Sequence, residues 1–414
     1  MKELDFGKKT DYNIELARIV DSVKKLRNLK AGKYTLWNEA AEWHMKYSNL
    51  RGVSSLTLTI TLSPTGCDWA RQGGCTMCGE FEGAFKKNDL LHNPQFHIAQ
   101  FVSAVSNPKV WETSKSENKS ISWIRINQEG NYTNPHEMNI EAQDKILQLA
   151  IRLKGVKRVT IESRPQYLSE KVVSHLAEIF RDSNVELEIG MGLEAENDVI
   201  RNICINKQGT KQQFIDTVNL LKRYNILPLA YIILKPPFLT EQEAIDEAVA
   251  TAHFAAKIGF SRISFEPMSI HQYTLVDLLK ETGDYSPPWL WSVIEVAKRC
   301  SDISSIFGIG GVGYYPIPSE YTHNFCTEKK DCNKRIIEAI KKYNTSRSIS
   351  VFKNIDCSCK GYWLQECLKE DCALKDRINR QLDNVDRIID NYSPAPIPIN
   401  SLVRRQRIIA GNSQ

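Results

Sequence analysis

The run Leu56-Thr57-Leu58-Thr59-Ile60-Thr61-Leu62 alternates apolar residues with threonine. It leads through Ser63-Pro64-Thr65 into a loop rich in cysteine and glycine, Gly66-Cys67-Asp68-Trp69-Ala70-Arg71-Gln72-Gly73-Gly74-Cys75-Thr76-Met77-Cys78-Gly79. A period of two with β-branched residues is strand chemistry. Runs of the same kind follow at Ile121–Ile126, Val156–Ile161, Val185–Met191, Leu227–Leu234 and Ser261–Pro267. Between them, helical patterns cover 95–105, 139–153, 168–181, 196–203 with 210–224, and 240–258. Strand then helix, repeated about six times, predicts a parallel α/β sheet. A closed barrel needs eight such units. The pattern breaks near Tyr273, so a partial, open barrel is expected, and periodicity alone leaves a flat doubly wound sheet as the alternative.

The flanks differ in texture. Residues 11–30 and 36–47 read as two helices, giving an N-terminal helical extension over 1–50 ahead of a barrel over 51–300. Beyond 300 come Gly308-Ile309-Gly310-Gly311-Val312-Gly313, then Tyr314-Tyr315-Pro316-Ile317-Pro318, paired cysteines, and a Pro-rich stretch at 394–398. A small Cys-rich C-terminal module and tail over 301–414 is expected. With 414 residues, 42% of them hydrophobic, the chain has apolar material for one large domain and an appendage. No stretch reaches the roughly 18 apolar residues of a membrane span. Lys2, Glu3, Asp5, Lys8 and Lys9 precede no apolar block, so no signal peptide is read and a cytoplasmic location is expected.

The net charge of +5 permits a nucleic-acid partner without demanding one. Lys24-Lys25-Leu26-Arg27, Lys222-Arg223 and Lys341-Lys342 read as solvated helix faces, whereas Arg404-Arg405-Gln406-Arg407 sits in the extended tail and is the better binding candidate.

Eleven cysteines in a chain without an export signal favour metal ligation over disulfides. Cys204 and Cys300 stand alone and read as small buried hydrophobes. Cys67, Cys75 and Cys78 follow the first barrel strand, at the mouth where such folds place their chemistry. Three thiolates suit a [4Fe–4S] cluster that keeps one iron open. S-adenosylmethionine (SAM) can chelate that iron and, on receiving an electron, break to methionine and a 5′-deoxyadenosyl radical. Half of a zinc site, or an oxidation-sensitive loop, are the other readings of this spacing.

A second group, His323, Cys326, Cys332, Cys357 and Cys359, with Cys367 and Cys372 beyond, crowds one end of the chain. Cys326, Cys332, Cys357 and Cys359 supply four thiolates, the complement of a closed structural zinc site. A second iron–sulfur cluster and unliganded thiols are the alternatives, and Cys367 and Cys372 read as packing residues.

Several segments carry a resemblance. Ile161-Glu162-Ser163-Arg164-Pro165-Gln166-Tyr167-Leu168 resembles the third-strand signature of radical SAM proteins related to the Elongator catalytic subunit. Gly190-Met191-Gly192-Leu193-Glu194-Ala195-Glu196-Asn197-Asp198 and Cys204-Ile205-Asn206-Lys207-Gln208-Gly209 resemble their fourth strand and the helix after it. Gly73–Gly79, Leu234-Lys235-Pro236-Pro237-Phe238-Leu239-Thr240, Pro287-Pro288-Trp289-Leu290-Trp291-Ser292 and Cys357-Ser358-Cys359-Lys360 with Trp363 are similar to the archaeosine-forming radical SAM family.

The resemblance spans roughly 50–365 and implies a partial (β/α)6 barrel, a [4Fe–4S] cluster on Cys67, Cys75 and Cys78, and SAM as co-substrate. It implies Glu162 near the SAM methionine and ribose, Lys207 near its carboxylate, and Glu194 facing the nucleoside. It further implies a tRNA substrate, an external electron donor, and a partner subunit that attaches lysine to 7-cyano-7-deazaguanine. A C–N lyase step then leaves the amidine of archaeosine. Without it, Glu162 reads equally as a partner of Arg164, Lys207 as a solvated helix end, and Glu194 as a cap for the helix near Asn197. Lys235, at a strand end, is within reach of the mouth. Asn127–Asn134 departs from the family pattern and is expected to face SAM or substrate, which leaves another RNA or DNA base as a second target. A zinc-stabilised, non-catalytic RNA-binding protein is the remaining alternative.

Overall fold

The computed structural model describes residues 5–31, 41–50, 53–63, 66–79, 93–128, 130–312, 326 and 330–393. His323, the Pro-rich stretch and Arg404–Arg407 lie outside the described residues.

Among the described residues, eight strands form one sheet in sequence order: β1 Glu42–Leu50, β2 Val53–Thr61, β3 Ile121–Asn127, β4 Arg158–Glu162, β5 Glu186–Glu194, β6 Leu227–Leu234, β7 Arg262–Pro267 and β8 Phe307–Ile309. β1 pairs antiparallel with β2, and every later pair is parallel. The helices between β2 and β3 are α2 Asp68–Arg71, α3 Pro94–Val105 and α4 Pro108–Ser116. Single helices make the next four crossovers: α5 Ile140–Ala150, α6 Glu170–Phe180, α7 Lys211–Arg223 and α8 Glu241–Ile258. α9 Leu275–Glu281 and α10 Leu290–Arg299 lead to β8. α1 Asn13–Ala31 precedes the sheet, and α11 Lys330–Ser346, α12 Cys359–Cys367 and α13 Leu374–Ile388 follow it.

The crossover helices start where their sequences say they should. Thr210 and Thr240 each form a capping box with the residue three positions on, Gln213 and Glu243, which satisfies two of the otherwise orphaned amides. α8 ends at Gly259, whose φ of +99° is the left-handed conformation that glycine reaches without a Cβ penalty. Leu58, Ile60, Ile124, Ile126, Val159, Ile161, Ile189 and Met191 are all buried, and they form the outer, helix-covered face of the strands.

The alternate residues face inward, and many are polar: Thr57, Thr59, Arg125, Arg158, Thr160, Glu162, Glu188, Tyr231, Arg262 and Glu266 share this face with Trp123, Leu229 and Ile233. This is not the branched aliphatic filling of a closed barrel. The face is concave. In a flat sheet β3 and β7 would stand roughly 19 Å apart, yet the Arg262 guanidinium lies 4.7 Å from the Trp123 ring centre. Glu188, with no exposed surface, fastens the base of this face. It pairs with Arg262 at 2.6 Å and Arg158 at 3.4 Å and accepts from Thr160 at 2.8 Å. Burial opposes its ionisation, but the Arg262 and Arg158 charges outweigh that and hold its carboxyl below the usual range.

Two expectations are corrected. Of the helix expected over 36–47, the described part is strand, because β1 pairs residue for residue with β2 from Glu42↔Thr61 to Leu50↔Val53. Its Trp43 and Met45 are buried on the helix-covered face, so edge pairing prevails over a helix-compatible composition. The strand pattern also does not end near Tyr273: β8 adds a short strand at residue 307.

Glu188→Ala leaves two arginines facing each other in the barrel, and urea titration at pH 7 is expected to show a loss of about 3–5 kcal/mol. A carboxyl with a depressed native pKa stabilises above its unfolded value, about 4.3. The difference between wild type and variant should therefore be full at neutral pH and shrink as acid carries the pH below that value.

Candidate active site

The cysteine loop at 66–79 leaves the C-terminal end of β2 and turns over the edge where β4, β5, β6 and β7 also end. Cys75 and Met77 pack against the main core and Ala70 is buried, and polar contacts fix the rest of the loop's path. Arg27 of α1, 1% exposed, donates to the carbonyls of Gly73 (3.4 Å), Cys75 (3.1 Å) and Cys78 (2.8 Å). The rigid guanidinium fork suits such a set of acceptors. The Lys24–Arg27 cluster therefore contributes a structural arginine instead of a wholly solvated face.

On the far side the loop is tied to the segment after β5. Thr76 donates its amide to Ile205 O (2.9 Å) and its hydroxyl to Cys204 O (2.8 Å), Asn206 donates to Gly74 O (2.8 Å), and the Trp69 indole donates to Asn206 O (2.7 Å). Leu275 N donates to Thr76 O at 2.9 Å. Gly74 has φ +82° with Ala70 Cα 3.0 Å from where a Cβ would stand, and a Cβ on Gly79 would meet His271 at 2.5 Å. Both positions need glycine for close approach.

Residues 130–137 form the third support. Glu137, fully buried, accepts from Asp68 N (2.9 Å), from the Asn131 amide and side chain, and from Asn134 Nδ2 (2.8 Å). Asn131 Nδ2 also lies 3.9 Å from Cys67 Sγ. The departure from the family pattern over Asn127–Asn134 thus has a local function, which is to seat the first cysteine and the start of α2. Burial pushes the Glu137 carboxyl up against these donors. Burial, then the Glu137 and Cys75 charges, push the Cys67 thiol up as well.

Cys67, Cys75 and Cys78 are half-buried. The donor set fits an iron–sulfur cluster: three thiols on one short loop whose carbonyls are turned away toward Arg27, leaving the sulfurs as its available ligands. Glu162, at the end of β4, accepts from Tyr231 at 2.6 Å and pairs loosely with Arg125 at 3.4 Å. Arg125, not Arg164, is its cationic partner. Arg164 instead donates to Lys207 O and lies 5.8 Å from the Trp69 ring centre. Glu194 pairs with Lys207 at 2.8 Å, and Asn197 caps its own turn by accepting from Val199 N, so Glu194 is no helix cap. Burial disfavours the Lys207 ammonium, but the Glu194 and Cys75 charges outweigh it and hold its pKa above the usual lysine range. The cysteine loop and the Glu194–Lys207 pair therefore share one electrostatic environment. Glu194, Lys235 and Tyr273 have φ near +60°, so backbone strain gathers at this edge.

Lys235 does not project freely into the mouth. It is 6% exposed and paired with Glu241 at 2.7 Å. Trp291 is buried, in keeping with a helix start and core reading of the Pro287–Ser292 segment. Cys204 and Cys300 are buried as expected. The second cysteine group converges: Cys326, Cys332, Cys357 and Cys359 are buried with their sulfurs within 4.8 Å of one another. Cys357 is drawn down to about 7, first by the backbone amide of Cys359. Cys367 is half-buried and Cys372 exposed. Arg27, Glu137, Arg125 and Tyr231 were not legible as site residues, because each acts through a partner distant in sequence.

No family model matches the chain. The chain is 32% identical over 348 residues to an uncharacterized protein of Methanocaldococcus jannaschii, covering 82% of this chain and 91% of that protein. It is 30% identical over 318 residues to the archaeosine synthase subunit beta of Methanosarcina acetivorans, covering 76% and 86%. It is also 30% identical over 323 residues to the archaeosine synthase subunit beta of Thermococcus kodakarensis, covering 76% and 93%. Among solved structures it is similar to the archaeal Methanocaldococcus infernus Elp3, with 14% identity, a TM-score of 0.45 and coverage of 63% and 59%. It is likewise similar to methylornithine synthase (PylB), with 8% identity, a TM-score of 0.39 and coverage of 84% and 96%.

Arg27→Ala removes the donor from three loop carbonyls. Unfolding free energy is expected to fall by about 1–3 kcal/mol, and iron retained on Cys67, Cys75 and Cys78 after anaerobic reconstitution is expected to fall with it. Full iron retention in the variant would show that the loop holds its shape without the arginine.

Proposed function

The chain belongs to the archaeosine synthase subunit beta family, and on that premise we propose that it is a radical SAM enzyme that modifies a 7-deazaguanine nucleoside in tRNA. The observation that carries this reading is the placement of the three-cysteine loop. It is locked by Arg27 at the C-terminal edge of the strands, with the Glu194–Lys207 pair beside it and Glu162 ending β4 on the same edge.

Cys67, Cys75 and Cys78 hold the [4Fe–4S] cluster and leave one iron for SAM. When bound, the cluster supplies the electron from an external donor that splits SAM into methionine and a 5′-deoxyadenosyl radical. The chain's own residues bind and orient. Lys207 spends one of its three ammonium donors on Glu194, which leaves others for the SAM carboxylate. Glu162, steadied by Tyr231 and Arg125, accepts from ribose hydroxyls or an ammonium. Glu194, at the last position of β5, faces the nucleoside. The polar concave face below suits a hydrogen-bonding substrate better than an aliphatic one.

The finer step is a C–N lyase reaction. A partner subunit attaches lysine to 7-cyano-7-deazaguanine. Abstraction of a hydrogen atom from the lysine carbon bonded to nitrogen gives 5′-deoxyadenosine. The carbon radical passes its electron to the oxidised donor, and water adds to that carbon. The C–N bond then breaks, with the amidine of archaeosine left on the base and the lysine chain released as an aldehyde. Among the described residues no helix is long and apolar enough to cross a membrane, and no membrane role is proposed.

Anaerobically reconstituted protein given SAM and dithionite is expected to form 5′-deoxyadenosine, and Cys75→Ala to reduce this to background. Mass spectrometry of tRNA nucleosides should show the lysine adduct consumed and archaeosine formed. Turnover of SAM with the adduct untouched, but another base altered, would redirect the reading to a different RNA or DNA target. Zinc instead of iron at the three cysteines would overturn it.

A further inference from the structure

The four cysteines outside the proposed active site carry an inference independent of the radical chemistry. Cys326, Cys332, Cys357 and Cys359 are 8%, 3%, 7% and 3% exposed. Cys326 Sγ lies 3.5 Å from Cys357 Sγ, and Cys332 Sγ lies 3.8 Å from Cys359 Sγ. A tetrahedral zinc with Zn–S bonds of 2.3 Å sets its sulfurs about 3.8 Å apart. Disulfides would bring paired sulfurs to about 2.05 Å. A four-iron cluster would push the thiolates farther apart, with irons and sulfides between them. With all four sulfurs within 4.8 Å of one another, the spacing has room for one metal ion among four thiolates.

The surroundings tie this group to the barrel. The Trp291 indole of α10 donates to Cys359 Sγ at 3.2 Å, an outer contact of the kind that orients a metal ligand. From α12, the Trp363 indole donates to Ser292 Oγ at 2.8 Å. Ser292 and the backbone amide of Trp289 (2.9 Å) both donate to Glu241 Oε1. The other Glu241 oxygen is paired with Lys235 Nζ at 2.7 Å, with side-chain exposures of 0% and 6%. Lys235 is the residue after β6, held at φ +62°, and its carbonyl accepts from Tyr285 Oη at 2.8 Å. Two indole hydrogen bonds, Trp291 to Cys359 and Trp363 to Ser292, thus fasten α12 to α10, and from Ser292 a polar path leads through Glu241 and its buried ion pair to the strained end of a barrel strand.

We propose that Cys326, Cys332, Cys357 and Cys359 form a tetrathiolate zinc site that fastens the C-terminal helices to α8 and α10 and thereby holds Lys235 and the end of β6 in place. The segments carrying the two cysteine pairs lie about thirty residues apart in sequence, and the ion closes the loop between them. Cys359 is a ligand. Trp291, Trp363, Ser292 and Glu241 are positioning residues.

The test uses the full chain, purified anaerobically. Metal analysis should find one zinc per chain beside the iron. Cys75→Ala should lose iron and keep zinc, and Cys357→Ala/Cys359→Ala should lose zinc and keep iron. Independently of whether the double variant folds, wild-type protein produced with cobalt(II) should show the intense thiolate-to-cobalt bands of a tetrahedral tetrathiolate site. Hydrogen exchange across 234–241 should quicken by about tenfold when a chelator strips the zinc, while β4 amides stay protected. Iron at the four cysteines, no metal beyond that of the Cys67 loop, or zinc retained in the double variant would each overturn the site. Exchange that quickens equally throughout, or not at all at 234–241, would overturn the coupling to β6.

Discussion

A buried cation must be met by acceptors, and for Arg27 those acceptors are the carbonyls of Gly73, Cys75 and Cys78. The requirement acts in both directions. The guanidinium fork sets which way the carbonyls of the loop that carries the three cysteines turn. The helix that carries Arg27 is fixed in turn, and it packs on α13 and on the turn before Cys204. Removing the charge would leave carbonyls unsatisfied, a heavier cost than the bonds themselves are worth. The N-terminal helix is therefore part of the site's construction.

The same logic of charge satisfied at depth runs through the barrel. Inward positions that a closed barrel fills with aliphatic layers are here Arg125, Arg158, Glu162, Glu188, Arg262 and Glu266. The base is closed by Glu188 between two arginines, and the rim is left with groups whose partners are few or shared. Glu162 keeps one tyrosine and a loosely placed arginine, and Lys207 shares its charge between Glu194 and the neighbourhood of Cys75. Rigid below and partly uncommitted above is an arrangement suited to binding polar ligands at the strand ends. Strained backbone at Glu194, Lys235 and Tyr273 occurs at that rim, and the β6 part of it is buttressed from outside by the Glu241–Lys235 pair.

The sequence made the parallel strands legible because period-two alternation and β-branched residues act locally, and β2 to β7 begin and end within a few residues of where the pattern put them. The converging late cysteines were legible by count and spacing. What was hidden depended on contacts distant in the chain. Glu42–Leu50 has a helix-compatible composition and becomes a strand only because β2 offers an edge. Phe307–Ile309 is too short to show a period. Arg27 sits among lysines and looks solvated until the cysteine loop folds over it. Glu194 and Lys207 were each legible as candidates, but their pairing was not, since they stand 13 positions apart with a π-helical turn at Ile200–Cys204 between them. The Asn127–Asn134 run looked like a substrate loop and is, in structure, also the seat of Cys67.

The central claim is that Cys67, Cys75 and Cys78 hold a four-iron cluster with one iron open to SAM. Electron paramagnetic resonance of the reconstituted, dithionite-reduced protein, recorded with and without SAM, tests it most directly. The account predicts a [4Fe–4S] signal whose g-values shift when SAM is added and which disappears in Cys67→Ala. A signal indifferent to SAM, or one that survives that substitution and is lost with Cys357→Ala, would contradict it.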